Sequence, residues 1–388
     1  MIKCFKVQLL PNNTQQTRLF QYAGAARFAY NWALSQERDN HQSGNKFISE
    51  GDLRKAFTIL RNSTDYRWLQ SISNNVTKQA IKDACGAYQK FFNKQANFPK
   101  FKSRKHSKMA FFQDPIKLKF TATHVKLEGI ARCIRKNRRK LNFVRLAEHN
   151  RIPIGVKYYN PRITFDGLHW WISVGIEVPE RQVSLNSTGM GIDLGIKDLA
   201  VCSDGTAYKN INKSNEIKRL EKRKHRIQRS ISRKYIKNKK GESYCKTSNI
   251  KKSEKLLLKV TRRLTNIREN YLHQVTTEIT NRKPRFVAIE DLNVGGMMKN
   301  RHLSKSIQDQ GFHRFRCYME YKCVERGIPI VAVDRWYPSS KLCSCCGNVK
   351  SDLKLSDRTY RCNICGNTID RDFQAALNIK TYGEQMLI

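Results

Sequence analysis

The chain has 388 residues, with 74 Lys and Arg against 32 Asp and Glu, a formal net charge of +42. An excess of that size repels itself unless a polyanion neutralises it, so nucleic acid is the expected partner and a small-molecule substrate is not. No uninterrupted apolar run approaches a membrane span and Met1-Ile2-Lys3-Cys4-Phe5 does not open a signal peptide, so no membrane partner is expected and the cytoplasm is the expected location.

Lys3 to Leu10 alternates as a strand, and Pro11 stops it. Asn13 with Gln16 three residues on has the pattern of a capping box. A helix then follows with Leu19, Tyr22, Ala26, Tyr30 and Ala33 on one face. A second helical stripe runs through Val76, Ala80, Ala84, Ala87 and Phe91, with polar, irregular sequence between the two. Residues 11–97 therefore read as a helical module. Its aromatics Phe28, Tyr30 and Trp32 are best placed in a core.

From Phe98 to Lys105 aromatic residues interleave with Lys100, Lys102, Arg104 and Lys105, and Lys100–Lys157 holds 17 basic against 3 acidic residues. A charge imbalance sustained over that length predicts a phosphate-contacting surface rather than a merely solvated face. Alternation at Ile116, Leu118 and Phe120, and at Ile172, Val174, Ile176 and Val178, adds short strands. Together they predict a small β-barrel of the oligonucleotide-binding type over 1–10 and 98–180, with the helical module inserted. Pro179 to Thr188 is a polar linker.

In Gly189 to Leu194, Met190, Ile192 and Leu194 point one way, while Gly191, Asp193 and then Gly195 point the other. Asp193 thus stands on a strand face without bulky neighbours, with space expected for a hydrated ion and a phosphate backbone. Alone, it could as readily cap a turn or pair with a lysine. Ile196 to Val201 reads as the returning strand, closed by Ser203-Asp204-Gly205. Lys213–Arg263 carries 20 basic and 4 acidic residues and reads as a helical pair with a cationic face and a mobile tip at 237–241; its second helix carries Leu264, Ile267, Tyr271, Val275 and Ile279. Pro284 to Leu292 is apolar on both faces until Glu290, as in a strand buried within a layered sheet. Gly295-Gly296 opens a loop, a helix runs from Phe312 to a stop at Gly327, and residues 328–334 form a last buried strand. The sum is a mixed α/β sheet.

Cys343-x2-Cys346 and Cys362-x2-Cys365, fifteen residues apart, have the spacing of a closed, structural Cys4 zinc ribbon, with Gly347 and Gly366 permitting the knuckle turns. Cys345 offers a shifted ligand, but spacing and glycine favour Cys346. After the ribbon comes a short helix with Ala375, Ala376 and Ile379 on a small-residue face; Asp370 is assigned to capping it and Asp372 to chemistry. Asp193, Glu290 and Asp372, on separate elements, form a set of hard oxygen ligands suited to two Mg²⁺ or Mn²⁺ ions clamping a scissile phosphate.

Gly-Ile-Asp-Leu-Gly-Ile-Lys-Asp-Leu-Ala from Gly191, Ile-Glu-Asp-Leu-Asn-Val-Gly-Gly-Met from Ile289, the paired Cys-x2-Cys motifs and Asp-Arg-Asp-x-x-Ala-Ala-x-Asn-Ile from Asp370 together resemble TnpB. These are transposon-encoded RNA-guided DNA endonucleases, relatives of the type V CRISPR effectors. Residues 27–34 resemble the family's first helix and Pro99 to Ser103 its basic hinge, so the likeness covers nearly the whole chain. It implies a multidomain α+β protein. A RuvC nuclease domain of RNase H-like fold would span 185–336 and 369–388, with Asp193, Glu290 and Asp372 as metal triad and the zinc ribbon (337–368) inserted. A wedge barrel would be interrupted by a helical recognition domain (11–97). It further implies a guide RNA, a target DNA and a short flanking DNA motif. Gln374 stands where the family usually has Asn, which implies altered contacts to the substrate strand. Asn74, Asn75, Lys78 and Gln79 are candidates for reading the DNA motif. A non-cleaving RNA-guided regulator and a transposition protein are the competing functions.

Overall fold

The computed structural model describes residues 1–130, 142–179, 183–354 and 357–387; the expected basic stretch at 131–141 and the boundary at 180 fall outside them. The chain divides into two compact units, Met1–Val178 and Pro179–Ile388. Among the described residues no helix is long and apolar enough to cross a membrane.

The first unit begins with β1 (Ile2–Leu10) and then three helices, α1 (Asn13–Gln42), α2 (Glu50–Asn62) and α3 (Asn74–Phe92). The strands β2 (Met109–Phe112), β3 (Lys119–Phe120), β4 (His124–Lys126), β5 (Phe143–Leu146), β6 (Tyr158–Phe165) and β7 (Trp170–Glu177) complete it. They form one seven-stranded antiparallel sheet in the order β2-β6-β7-β1-β5-β4-β3. β1 lies between β7 and β5, and the three helices follow it in the chain before the other strands of the sheet. One apolar core joins sheet and helices, from Val7 and Ile172 to Leu19, Tyr22 and Ile81.

Four expectations for the chain need correction. The capping box sits one residue earlier: the Asn12 side chain accepts from the Gln15 amide at 2.9 Å, and Gln15 Oε1 accepts from the Asn12 amide at 3.0 Å. The stretch between the helical stripes is not irregular, since α2 buries Leu53 and Phe57 and a 3-10 segment at 64–71 buries Leu69; with so few apolar anchors, periodicity alone did not reveal them. Ile116 is 86% exposed in a turn, so the alternation through Leu118 and Phe120 does not extend to it. The stretch 237–241 divides between two elements of the second unit: Lys237 ends the helix Asn215–Lys237, and Lys239–Lys240 open a short hairpin with Ser243–Tyr244.

That second unit has β8 (Met190–Leu194), β9 (Asp198–Cys202), β10 (Ala207–Lys209), α4 (Asn215–Lys237), the hairpin β11 (Lys239–Lys240) and β12 (Ser243–Tyr244), and the long α5 (Ser248–Asn281). There follow β13 (Val287–Glu290), α6 (Val294–Met297), α7 (Ser304–Gln310), α8 (Phe312–Arg326), β14 (Ile330–Val333), β15 (Thr359–Arg361), β16 (Thr368–Asp370) and α9 (Arg371–Gln385). The glycine pair expected to open a loop lies in α6, which Asn293 caps. The main sheet has the order β10-β9-β8-β13-β14; β8, β13 and β14 run parallel, and β9 and β10 return antiparallel. Ile192, Val287 and Ile289 on one face pack with α5, α7 and α8 through Leu272, Val275, Ile307, Phe315 and Met319. On the other face Phe286 and Ala288 pack with Ile379 of α9. Gly327, in the left-handed conformation at φ 67°, ends α8.

Candidate catalytic and metal-binding site

The side chains of the second unit's sheet that face α9 include Gly191 and Asp193 of β8 and Ala288 and Glu290 of β13. Parallel pairing sets Ala288 beside Gly191 and Ile289 beside Ile192, so the next pair along is Glu290 beside Asp193. The expected space around Gly191 is filled by protein: a Cβ there would lie 2.2 Å from the Ala376 carbonyl and 2.4 Å from the Lys380 amide. The missing side chain admits α9, not a phosphate. Gly383 continues the close approach, with Phe286 and Ala288 against it. Asp372 is one helical turn before Ala376, and Asp193 is two residues beyond Gly191, so the helix delivers Asp372 to Asp193.

Asp370 caps α9, accepting from the amides of Asp372 at 3.0 Å and Phe373 at 3.1 Å. That leaves Asp372 in the first turn, with Arg371 Nη2 3.5 Å from its carboxylate. Burial pushes the Asp193 carboxyl well above the usual carboxylate range, and the charges of Glu290 and then Asp372 push it further. Burial also raises Glu290, against the Ser339 hydroxyl, which donates to its Oε1 at 2.5 Å. Two other acids, one from a second strand and one from a helix, thus bear on Asp193 at a place where all three residues are partly buried. That is the electrostatics a divalent cation would relieve, and the all-oxygen donor set fits Mg²⁺ or Mn²⁺. Beside Glu290 a cleft of about 660 Å³ is lined by Asp291, Asn293, His313, Arg316 and Arg335. Asp291 points away from the site's face and pairs with Arg316, and with Arg335 at 3.0 Å.

The four cysteines converge as their spacing requires. The sulfurs of Cys343, Cys346, Cys362 and Cys365 all lie within 4.8 Å of one another, with Cys343–Cys365 and Cys346–Cys362 at 3.6 Å. Tetrahedral zinc with Zn–S bonds of about 2.3 Å sets its sulfurs about 3.8 Å apart, so the cluster fits that ion. Amides of Cys365 and Ile364 aimed at Cys362 hold its thiol down to about 6. At Cys365 the Asn367 amide acts in the same sense, but burial and the neighbouring sulfurs outweigh it and push the thiol up to about 12. Gly347 and Gly366 take φ values of 74° and 71°, the knuckle turns expected of them, and Cys345 stands exposed outside the cluster.

The polar candidates of the first unit divide into two groups. Asn75 donates to Asp114 at 2.7 Å and Gln79 to Asp83 at 2.9 Å; Lys102 Nζ lies 3.4 Å from the Tyr30 ring centre, while its backbone exchanges hydrogen bonds with the Asn31 side chain. These three are built into the fold. Lys78, Lys100, Arg104 and Lys105 are exposed. Gln374, the departure from the family pattern, is fully buried and so faces protein rather than a substrate strand: it donates to the Leu342 carbonyl at 2.6 Å and accepts from the Ser344 hydroxyl at 2.9 Å. Sequence reasoning did not single out Ser339, or Asn378, which donates to the carbonyls of Ser339 and Leu342 at 2.7 Å. Only the proximity of Ser339 to the ribbon motif could have drawn attention to it.

Three family models match the chain: "Probable transposase" over 172–301, "Cas12f1-like, TNB domain" over 312–379 and "Helix-turn-helix domain" over 1–46. The last label does not describe the geometry, because residues 1–46 hold β1 and the single long helix α1. "Putative RNA-guided DNA endonuclease InsQ" of Escherichia coli (strain K12) is 30% identical, covering 100% of this chain and 93% of its own. A "Putative RNA-guided DNA endonuclease" of Streptomyces pristinaespiralis is 29% identical over 98% of this chain and 89% of its own. Among solved structures, the Cas12f1 protein of a Cas12f1-sgRNA-target DNA complex shares the fold with a TM-score of 0.61 at 15% identity, covering 95% of this chain and 82% of that one. The fold is thus a Cas12-like multidomain α/β arrangement.

Proposed function

This chain belongs to the TnpB family, and we propose on that footing that it is an RNA-guided, divalent-metal-dependent DNA endonuclease of a transposable element, acting in the cytoplasm. Asp193, Glu290 and Asp372 are its metal-binding carboxylates. The observation that carries this reading is their convergence from β8, β13 and the first turn of α9, close enough for Asp193 to feel the other two charges. The strand order of the second unit, an antiparallel β10-β9-β8 followed by parallel β13 and β14, supports an RNase H-like, RuvC-type domain. The cysteine cluster supports a structural zinc ribbon within it. In the first unit the seven-stranded sheet serves as wedge and α1–α3 as the recognition module.

The relatives' names speak of guidance by RNA and cleavage of DNA, and a chain of +42 suits two polyanionic partners. Pairing between guide and target would supply specificity, while the protein reads backbone shape and a short flanking motif. With Mg²⁺ or Mn²⁺ bound, the site would offer Lewis-acid stabilisation of an in-line displacement at phosphorus. The chain's own part is to fix the carboxylates: Asp193 and Glu290 by strand pairing, Asp372 by the Asp370 cap. The partly buried setting screens their charges less than open solvent would, so they hold a cation more strongly than exposed acids would.

Asp193→Ala and Glu290→Ala are each expected to lower cleavage of a guide-matched DNA by a thousand-fold or more while RNA and target binding persist. Cleavage at the wild-type rate by either variant overturns the assignment. Sequencing of the RNA that copurifies with the full chain separates the guided reading, which requires one discrete structured species with a variable end, from a general RNA binder.

A further inference from the structure

The segment between β14 and the first cysteine pair is held by the same helix that carries Asp372. Asn378 Nδ2 donates to the carbonyls of Ser339 and Leu342, both at 2.7 Å. Gln374, one turn earlier, donates to Leu342 at 2.6 Å and accepts from Ser344 at 2.9 Å. Both amides are buried, at 0% and 2% exposure, where an unpaired polar group is costly, so these bonds fix where the segment lies. Cys343 follows Leu342 directly, so the ribbon's first ligand is tied to α9 by the same contacts. At the segment's start Ser339, 7% exposed, gives its hydroxyl hydrogen to Glu290 Oε1 at 2.5 Å. Among the described residues this is the one hydrogen bond the Glu290 carboxylate accepts, and it engages one oxygen while leaving Oε2 for a ligand.

We propose that Ser339 is a positioning residue for Glu290, and that the buried amides Gln374 and Asn378 set its place, so that the ribbon's anchor and the metal-binding carboxylate share one hydrogen-bond network. Ser339 acts through Glu290 and need not touch the substrate. Hydrogen-bond partners standing behind a metal ligand change metal affinity by about 10–100-fold when removed. The inference also gives Gln374 a function: its longer side chain spans from α9 to both Leu342 and Ser344.

The proposal rests on the carboxylates being the divalent-metal site, and the test separates the two ideas. Mn²⁺ binding to the full chain is measured by electron paramagnetic resonance for the wild type, Ser339→Ala, Ser339→Thr and Asp193→Ala, with melting temperature and zinc content followed in parallel. Ser339→Ala is expected to weaken the Mn²⁺ site about 10–100-fold at unchanged melting temperature and zinc content. Ser339→Thr, which keeps the hydroxyl, is expected to restore most of the affinity. Gln374→Met is expected to weaken it too, and to add little on top of Ser339→Ala, because both act through one bond. If Ser339→Ala binds Mn²⁺ like the wild type while Asp193→Ala does not, Ser339 has no positioning role and the carboxylate site stands. If Asp193→Ala binds like the wild type, the carboxylate site falls and this proposal with it. Fully additive effects of Gln374→Met and Ser339→Ala overturn the link to the ribbon's anchor.

Discussion

A carboxylate in this chain acquires its role from what surrounds it. Burial and two more acids destabilise the charged form of Asp193, and a bound cation would offset that cost and favour the carboxylate. Asp83 of α3 has the opposite environment. It is half-buried, but Arg162 donates to both its oxygens, at 2.6 and 2.9 Å, and Gln79 adds a third hydrogen bond at 2.9 Å. Burial alone would raise its carboxyl; the hydrogen bonds of Arg162 and Gln79 and the guanidinium's charge outweigh it and hold the group below its usual range. A depressed folded-state value means the contribution to stability is present above the unfolded value, near 3.9, and is lost as pH falls through the folded one. Asp83→Asn is therefore expected to destabilise the first unit by about 1–2 kcal/mol at pH 7, a figure set between exposed and fully buried pairs, and by progressively less below about pH 4. Denaturation followed by tryptophan fluorescence checks this, since Trp32, Trp68, Trp170 and Trp171 are in the first unit and Trp336 alone in the second. A difference that persists undiminished at pH 3 would show that the lost contact is not ionic. The same geometry explains why Gln79 looked like a base-reading residue in the sequence: a polar side chain near a helix start has the same letter whether it faces DNA or an aspartate across one turn.

Elements were legible where one face is buried and the period is regular. The alternation in β7 and the run in β13 follow from sheets covered by apolar partners, and the Leu19, Tyr22, Ala26, Tyr30, Ala33 stripe of α1 is buried throughout. The order of the acids along the chain, together with family motifs, was enough to nominate Asp193, Glu290 and Asp372. It was not enough to show how they meet, because that depends on packing between β8 and α9, whose Asp193 and Asp372 are 179 positions apart in sequence. Gly191 is the clearest instance: its neighbours in sequence suggest an open face, whereas its neighbours in space are backbone atoms of α9. Backbone cannot swing aside as a flexible side chain can, so Gly191→Ala must push the helix outward. The expected cost is about 2–3 kcal/mol, the upper part of the range for overpacking a dense interior. Asp372 would move with the helix, so cleavage is expected to fall by more than ten-fold even at temperatures where the variant remains folded, with target binding retained. Thermal unfolding and a single-turnover cleavage rate test the two halves separately. A variant with wild-type stability would mean that α9 does not sit as close to β8 as described. Ser339, by contrast, had no periodic or motif signal of its own; its contact with Glu290 depends on a turn closed by Pro338 and on amides from α9.

At the scale of the whole molecule the dominant fact is charge, and its distribution decides which surfaces can hold a polyanion. In α4, ten Lys and Arg stand against two Glu, yet the helix has a small apolar seam in which Ile217 and Leu220 meet Val260 and Leu264 of α5. A single narrow seam leaves the rest of the helix surface to cations. Lys224 is spent locally on Glu221 at 3.4 Å, and Arg263 of α5 takes up Glu216 at 2.8 Å. Arg219, Lys222, Arg223 and Arg226 line a cleft of about 510 Å³ in which Glu216 is the one acid. Five cations, Arg263 of α5 included, surround that one acid and repel each other, so the free protein pays for them in stability and recovers that energy when phosphates enter. Binding that releases condensed counterions weakens linearly in log salt, with a slope near 0.9 per neutralised phosphate on a duplex and about 0.7 on a single strand. Replacing Arg219, Arg223 and Arg226 together by Ala is therefore expected to reduce the salt slope of RNA–DNA duplex binding by about 2–3, uniformly across sequences. Binding isotherms between about 50 and 200 mM salt measure it on two unrelated duplexes. If the slope is unchanged, the α4 cleft does not contact the backbone, and the charge excess acts elsewhere. If the loss depends on sequence, these arginines read base edges, as a guanidinium can at guanine, and the backbone assignment falls.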